Sequence, residues 1–410
     1  MSAPELPDQF FRHEYARLVA LLTGRFGLPD LASVEDAVQN ALAKALERWP
    51  SEGQPDNPSG WLYRVALNEV LGEKRQAANH QRLQQQIHET HVARDSSDAS
   101  TEDADENLLR MLFVCCDAAV PLQSQLVFAL KTLCGFDIRE IALRLFISEA
   151  AAHKRLQRAR KGLAHLSQEL PSPSPDQYRK RLSAVHEVLY LLFTEGHQSH
   201  HEGAAIRREL CDEAIRLSNL LVSHPAGNHP NTHALLALMS LHAARMSARQ
   251  DAHGGLVLLE DQDRSRWDMP LIMSGMSWLE QSARGDTFSR YHAEAAIAAE
   301  HCMASSFDST RWDRIVSCYD LLDQTGGSSI HQLNRAVAMA HWKGPAKALK
   351  ELMDSRPSSG LEGSYLWAAV LADLHRQCGN LEKAAHLTSQ ALELAPTEAI
   401  QMSLEHRLRS

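Results

Sequence analysis

The 410-residue chain has no apolar run approaching the roughly 18–20 residues that a membrane-spanning helix requires, which excludes a membrane partner of that kind. Its opening stretch, MSAPELPDQFFRHE, lacks both the basic start and the apolar core of a secretion signal, so the expected setting is cytoplasmic. Seven scattered cysteines with no CxxC pair exclude a disulfide scaffold and fit reduced thiols. Glycine (20) and proline (16) together fall below their usual share of roughly 12%. Phosphate loops, zinc-type Cys/His spacing, GxSxG elbows and dinucleotide fingerprints are all missing, so no catalytic residue, metal or cofactor is expected. What remains is 44% hydrophobic and 23% charged, rich in Ala, Leu, Glu, Gln and Arg. That composition reads as an all-α globular protein of two or three domains.

The net charge of −9 is unevenly spread. Residues 1–80 hold eight basic and eleven acidic side chains, and residues 81–107 hold two and seven. Residues 108–165 reverse the sign with nine basic against four acidic. The rest of the chain has twenty-three and twenty-nine. One short block is therefore basic within an acidic chain, and the local field decides what it attracts.

Two linkers divide the chain. Residues 84–107 are polar, acidic and nearly free of apolar periodicity. Residues 171–175 (PSPSP) read as a stiff spacer. The pieces are 1–83, 108–170 and 176–410. In the first, apolar positions at 34, 37, 38, 41, 42, 45, 46 and 49 predict an amphipathic helix, with Ser33 and Asp36 as a candidate cap. Its outer face carries Asp36, Gln39, Asn40 and Lys44. A loop over 51–60 precedes a second helix from Trp61, with Trp61, Val65 and Leu62 as candidate core positions.

In the basic block, Ile138, Ile141, Ala142 and Leu145 form a short stripe behind a cap of Asp137 and Glu140. Ser148 then caps a second helix whose apolar line is Ala152, Leu156, Ala159 and Leu163. Its other side presents His153, Lys154, Gln157, Arg158 and Lys161. Two short helices, a tight turn and a basic outer face describe a DNA-binding helix-turn-helix.

The C-terminal piece is helical throughout. From Ser364, the recurrence of Leu371, Ala372, Gly379, Leu381, Ala384, Ala391 and Pro396 fits a tetratricopeptide repeat (TPR), and 334–349 reads as a weaker second copy. Repeats of this kind do not stand singly, so a stacked helical array is expected.

Three stretches then carry a family resemblance: Glu35-Asp36 to Gln39, residues 60–68 (GWLYRVALN), and Glu140 with residues 154–160 (KRLQRAR). Together they resemble regions 2.2, 2.3–2.4 and 4.2 of an extracytoplasmic-function sigma factor of the sigma-70 family. Residues 256–268 (LVLLEDQDRSRWD), 295–299 and 333–338 resemble the long TPR-like extension of one sigma group. The resemblance implies an all-α fold: a sigma region 2 domain, a sigma region 4 helix-turn-helix domain and a C-terminal TPR-like array. It implies docking of Glu35, Asp36, Gln39, Asn40 and Lys44 on the β′ clamp helices of core RNA polymerase, with region 4 towards the β flap. Promoter DNA at the −10 element would meet Trp61, Arg64, Val65, Asn68, Lys74 and Arg75. The −35 element would meet Ser148, His153, Lys154, Arg155, Gln157, Arg158 and Lys161, with Arg160 nearer phosphate or structure. The C-terminal domain would control activity or dock a protein or ligand. Asn40 stands where an acidic residue is usual, and Glu69 and Glu73 stand where basic residues are common.

Three other readings compete. A TPR-type scaffold with a degenerate sigma part draws support from Asn40, Glu69 and Glu73. An enzyme would use the acidic and basic groups of 256–268, whereas the favoured reading makes Asp261, Asp263, Arg264, Arg266, Trp267 and Asp268 an interdomain network. A metal reading of residues 195–202, with three histidines and two glutamates, yields to a polar loop.

Overall fold

The computed structural model describes residues 8–84, 101–145, 147–163, 174–197, 208–250, 257–326, 328–355 and 363–395, with the single residues 361, 400, 401, 404, 405 and 408. Helix α1 (Asp8–Phe26) buries Tyr15, Leu18, Val19 and Leu22. Helix α2 (Leu31–Glu52) buries Val34, Ala37, Val38, Ala41, Ala45 and Trp49, the predicted stripe. Leu46 departs from it at 60% exposure, because the 3.6-residue period carries the core line through 45 and 49. The cap also differs. Asp30 flanks the helix start, so Ser33 and Asp36 already lie within its first turns. The Asp30 carboxylate takes Lys74 Nζ at 2.6 Å instead of a backbone amide.

Helix α3 (Pro58–Gln84) opens on Asn57, whose Oδ1 accepts from Gly60 N at 2.8 Å, with proline in the first helical position. Its core line is Leu62, Ala66 and Val70, so Trp61 and Val65 sit one residue off the expected phase and are half-buried. Helix α4 (Thr101–Cys115) begins inside the stretch read as a linker, and Ala104, Leu108, Met111 and Leu112 give it a buried line. Residues 85–100 of that stretch lie outside the described residues.

Helices α5 (Leu122–Thr132), α6 (Ile138–Arg144) and α7 (Glu149–Leu163) follow. Helix α8 (Pro175–His197) starts on the last proline of the PSPSP stretch, where its missing N–H is harmless. Ser174 and Gln177 cap it reciprocally, at 2.8 and 3.3 Å. Residues 171–173 of the spacer lie outside the described residues.

The chain divides into two compact units, Met1–Leu192 and Phe193–Ser410. In the first, α1 packs on α2 and α4, and α5 packs on α6 and α7. In the second, α9 (Arg208–Ser223), α11 (Met269–Ser282) and α12 (Arg290–Met303) surround α10 (Pro230–Ala243). Helix α10 is buried nearly all round, from Ala234 to Leu241 without a break. Gly275 lets α11 approach it: a Cβ there would lie 2.8 Å from Leu241 Cγ.

Helices α13 (Trp312–Gln324), α14 (Ser329–Lys343), α15 (Pro345–Asp354), α16 (Tyr365–Gln377) and α17 (Leu381–Glu393) then pack each on the next. The tight reversals fall at Gly344 and Gly379, with φ of 90° and 78°. Ala368, Ala372, Ala384 and Ala391 are buried where α16 meets α17, and Pro396 lies outside the described residues. No strand occurs among the described residues, and no helix there is long and apolar enough to cross a membrane.

Candidate polymerase and nucleic-acid interface

The helix-turn-helix of α6 and α7 is built by local hydrogen bonds. Asp137 N donates to Glu140 Oε2 at 3.0 Å, and Glu140 N donates to Asp137 Oδ1 at 2.7 Å. Ala151 N donates to Ser148 Oγ at 3.2 Å, fixing the start of α7. Ala152, Leu156, Ala159 and Leu163 are buried, which turns His153, Lys154, Gln157, Arg158 and Lys161 outward. Ser148 is exposed and Arg155 half-buried. An outward cationic helix with a free N-terminal half suits the major groove, its long side chains reaching phosphate and base edges.

Arg160 leaves that face. Its Nη2 donates to Glu35 Oε2 at 2.6 Å, and Thr132 Oγ1 donates to Glu35 Oε1 at 2.9 Å. Glu35 is 2% exposed, so it is not available for the polymerase docking that the resemblance implied for it. One residue from Val34 and three from Val38, it falls on the buried side of the helical turn. Burial raises its pKa, and Arg160 and Thr132 pull it back only in part.

Asp36, Gln39, Asn40 and Lys44 do share an exposed face of α2. Two of them hold Glu69 of α3: Asn40 Nδ2 donates to its Oε1, and Lys44 Nζ lies 2.8 Å from Oε2. Burial pushes the Glu69 pKa up, but the hydrogen bonds from Lys44 and Asn40 outweigh it and hold the carboxyl below its usual range. The two unusual residues, Asn40 and Glu69, thus satisfy one another.

On α3, Arg64, Asn68 and Arg75 are exposed beside half-buried Trp61 and Val65. These positions share one side of the helix by spacing. Lys74 is engaged elsewhere, with Asp30 and 5.3 Å above the Phe26 ring. Trp61 packs edge-on against Trp49, with ring centroids 5.6 Å apart, and Trp49 in turn meets Phe10 and Phe11. Ser59 Oγ donates to Glu14 Oε1 at 2.8 Å, and Arg17 pairs with the same carboxylate, which anchors the start of α3 to α1.

In the second unit, residues 257–268 turn their acids outward. Asp261 and Arg266 are exposed. Asp263 Oδ1 accepts from Ser265 N and Oγ, and Asp268 Oδ1 accepts from Leu271 N to cap α11. Arg264 and Trp267 turn inward together, the guanidinium carbon 4.4 Å from the ring centroid. The expected acid–base network is therefore replaced by caps and a cation–π stack among the described residues. Sequence reasoning missed Arg245, Arg249, His242 and His301, which gather around this stack. Their signal was a run of basic and imidazole side chains at helix C-termini, spread over positions far apart in the chain.

Of the stretch read for metal, residues 198–202 lie outside the described residues, and the His197 ring nitrogen meets Arg249. Among the described residues no group of His, Cys, Asp and Glu is placed to hold a metal.

Residues 10–80 match the family Sigma-70 region 2, and residues 111–163 match Sigma-70, region 4. Residues 181–283 match a family of unknown function, DUF6596. The chain is 34% identical over 390 residues to "Uncharacterized protein R00370" of Rhizobium meliloti (strain 1021), covering 92% of this chain and 90% of the relative. No solved structure matches it. With both regions in order and the capped helix-turn-helix in the second, the chain belongs to the sigma-70 family, as an extracytoplasmic-function-type RNA polymerase sigma factor with a long C-terminal extension.

Proposed function

We propose that this sigma factor directs core RNA polymerase to a specific set of promoters through three surfaces of its first unit. Asp36, Gln39, Asn40 and Lys44 dock on the β′ clamp helices. Trp61, Arg64, Val65, Asn68 and Arg75 hold the opened −10 element, and Lys74 joins them once released from Asp30. His153, Lys154, Gln157, Arg158 and Lys161 read the −35 element, with Ser148 and Arg155 at the flanks, while region 4 rests against the β flap. The observation that carries the reading is α7, which presents five polar or basic side chains on its outer face and buries Ala152, Leu156, Ala159 and Leu163.

The second unit is read as a TPR-like regulatory domain acting in the cytoplasm. Its support is the alanine-lined hairpin of α16 and α17 and the acidic balance of the C-terminal piece against the basic reader. A tethered domain acts at high effective concentration, so weak contacts suffice.

Promoter-directed transcription with purified core polymerase tests both parts. The full chain should bind the polymerase and yield defined transcripts, and Lys154→Ala with Arg158→Ala should lose promoter choice while keeping polymerase binding. A full chain that does not bind core polymerase overturns the reading. Deleting residues 198–410 should change transcript yield; equal yield removes the regulatory role.

A further inference from the structure

Helices α8, α10 and α12 end close together in the second unit, and their last turns carry His197, His242 and His301. Arg245 and Arg249 follow α10 directly, and Arg264 enters from the segment before α11. The His197 and His242 rings lie 4.6 Å apart. Arg249 Nη1 donates to His197 O at 3.1 Å. Arg264 Nη1 donates to His301 O at 2.9 Å and Ala304 O at 2.7 Å. These two arginines therefore cap the carbonyl ends of α8 and α12.

Arg245 has no such partner. It is 8% exposed, its Nε is buried without a hydrogen-bond partner, and it pairs with no carboxylate among the described residues. It lies 5.3 Å from the centre of the Trp267 ring, the ring on which Arg264 stacks at 4.4 Å. Three more buried nitrogens in the same cluster lack a partner: Arg264 Nη2, Trp267 Nε1 and His301 Nδ1. Trp267 is itself only 6% exposed.

The charge does not close. Each helix C-terminus contributes roughly half a negative charge, so three offset about half of three guanidinium charges. None of the three arginines is paired with a carboxylate among the described residues. A buried cation without a counter-charge is heavily unfavourable, and buried N–H donors without acceptors add to the deficit. Both deficits vanish if an oxygen-rich anion enters the cluster. Guanidinium groups present paired N–H donors that match phosphate oxygens two at a time.

We propose that Arg245, Arg264 and the Trp267 indole N–H form a binding site for a phosphate group, free or carried on a small molecule. The site lies outside the DNA- and polymerase-facing helices and gives the C-terminal extension a ligand of its own. It stands whether or not that extension regulates transcription.

The test uses the full chain with inorganic phosphate as the probe, followed by calorimetric titration and thermal melting at constant ionic strength, with chloride as the reference anion. Wild type should bind phosphate at one site per chain and melt several degrees higher in its presence. Arg245→Gln removes the charge and leaves a shorter, neutral amide. It should bind at least about tenfold more weakly, as expected when one partner of a buried charge contact is removed. In phosphate-free buffer the same variant should melt no lower than wild type, because the unmatched buried cation is gone.

Trp267→Phe keeps an aromatic ring and removes the indole N–H. It should weaken binding severalfold and carries the test if Arg245→Gln does not fold. Glycerol 3-phosphate separates the sources: tighter binding than inorganic phosphate indicates a phosphorylated small molecule, and equal binding indicates free phosphate. No phosphate binding by wild type at about 10 mM, a ceiling for weak affinity, overturns the proposal. So does equal binding by wild type and both variants, which would mean an adventitious ion only.

Discussion

Glu35 on α2 and Arg160 on α7 lie 2.6 Å apart, Oε2 to Nη2, and this pair ties sigma region 2 to the reading helix of region 4. The elements at −10 and −35 are separated by about 25 base pairs, or about 85 Å at ~3.4 Å per pair. A folded unit of this length has a radius of gyration of about 16 Å. In the proposed reading, the two elements are therefore out of reach together while Glu35 and Arg160 remain joined, and we propose that promoter binding parts them. Arg160→Ala leaves Glu35 buried beside Thr132 alone. It should destabilise the first unit by about 2 kcal/mol, below the ~3–5 of a fully buried pair because Arg160 is 39% exposed. Glu35→Gln retains a hydrogen-bond acceptor for Thr132 and should lose about 1 kcal/mol while raising holoenzyme affinity for promoter DNA. Chemical denaturation and DNA titration measure the two effects. Weaker DNA binding by Glu35→Gln would mean that the joined state is the productive one.

In the proposed reading, the outer face of α7 holds both base readers and phosphate contacts, and substitutions should tell them apart. Arg158→Ala should reduce promoter affinity by about 1–3 kcal/mol and relax preference at one base pair. Lys161→Ala, one turn closer to the helix end, should weaken all sequences alike and lower the salt slope by about one. Arg160→Ala should leave the slope unchanged, since Arg160 sits one turn from buried Leu156, off the face that carries Lys154, Gln157 and Arg158. A salt series with a promoter fragment and its scrambled counterpart resolves the three variants. A slope change on losing Arg160 would place its side chain at the DNA after all.

What the sequence made legible follows the reach of each interaction. The Asp137–Glu140 and Ser148 caps span three residues, so their residue types announce them. The α2 stripe was legible for the same reason, through spacing alone. The phase of α3 was not, because Trp61, Leu62 and Val65 are all apolar and only packing against α1 and α2 selects Leu62, Ala66 and Val70 for the core. Glu35 was placed in the docking set by the resemblance, and nothing local in the sequence shows that it is buried. Its partners, Thr132 and Arg160, stand 97 and 125 positions away. The arginine cluster was hidden in the same way: Arg245, Arg264 and His301 come from three segments far apart in the chain, and the acidic residues near Arg264 in sequence drew attention from it.

Glu69 offers a direct measure of how the unusual residues of region 2 act. Its carboxylate pairs with Lys44 on the proposed docking face of α2 and stands on α3, the helix proposed to hold the −10 element. Glu69→Gln removes one negative charge and releases the ammonium. The loss of stability should stay under about 1 kcal/mol, as for other half-exposed ion pairs. Promoter DNA should bind more tightly, with a salt slope steeper by about one if the freed Lys44 reaches a phosphate. An unchanged slope in the same titration would confine Lys44 to the polymerase contact.

The second unit carries opposing proton couplings whose signs fix its stability profile. Burial, then the charges of Arg245 and Arg249, push His242 down to about 3; burial, then Arg245, Arg264 and His341, do the same to His301. Both rings stay neutral in the fold but protonate once unfolded below pH 6.5. Each therefore withdraws about 1.4 kcal/mol of stability per pH unit as acid is added. Glu195 is raised by burial to about 7, so the fold keeps a proton that the unfolded chain releases above pH 4.5. Its sign is opposite: acidification from pH 7 to 4.5 returns about 1.4 kcal/mol per unit. Burial also holds His197 well below the usual imidazole range, so between pH 6.5 and 4.5 the histidines outweigh Glu195 and stability falls as acid is added. Below pH 4.5 Glu195 no longer opposes them and the fall steepens. Urea titrations of the full chain across this range, followed by tryptophan fluorescence, should show the steepening near pH 4.5. His242→Phe should make the upper segment shallower by about 1.4 kcal/mol per unit. An unaltered slope in that variant would mean that His242 is already charged in the folded protein.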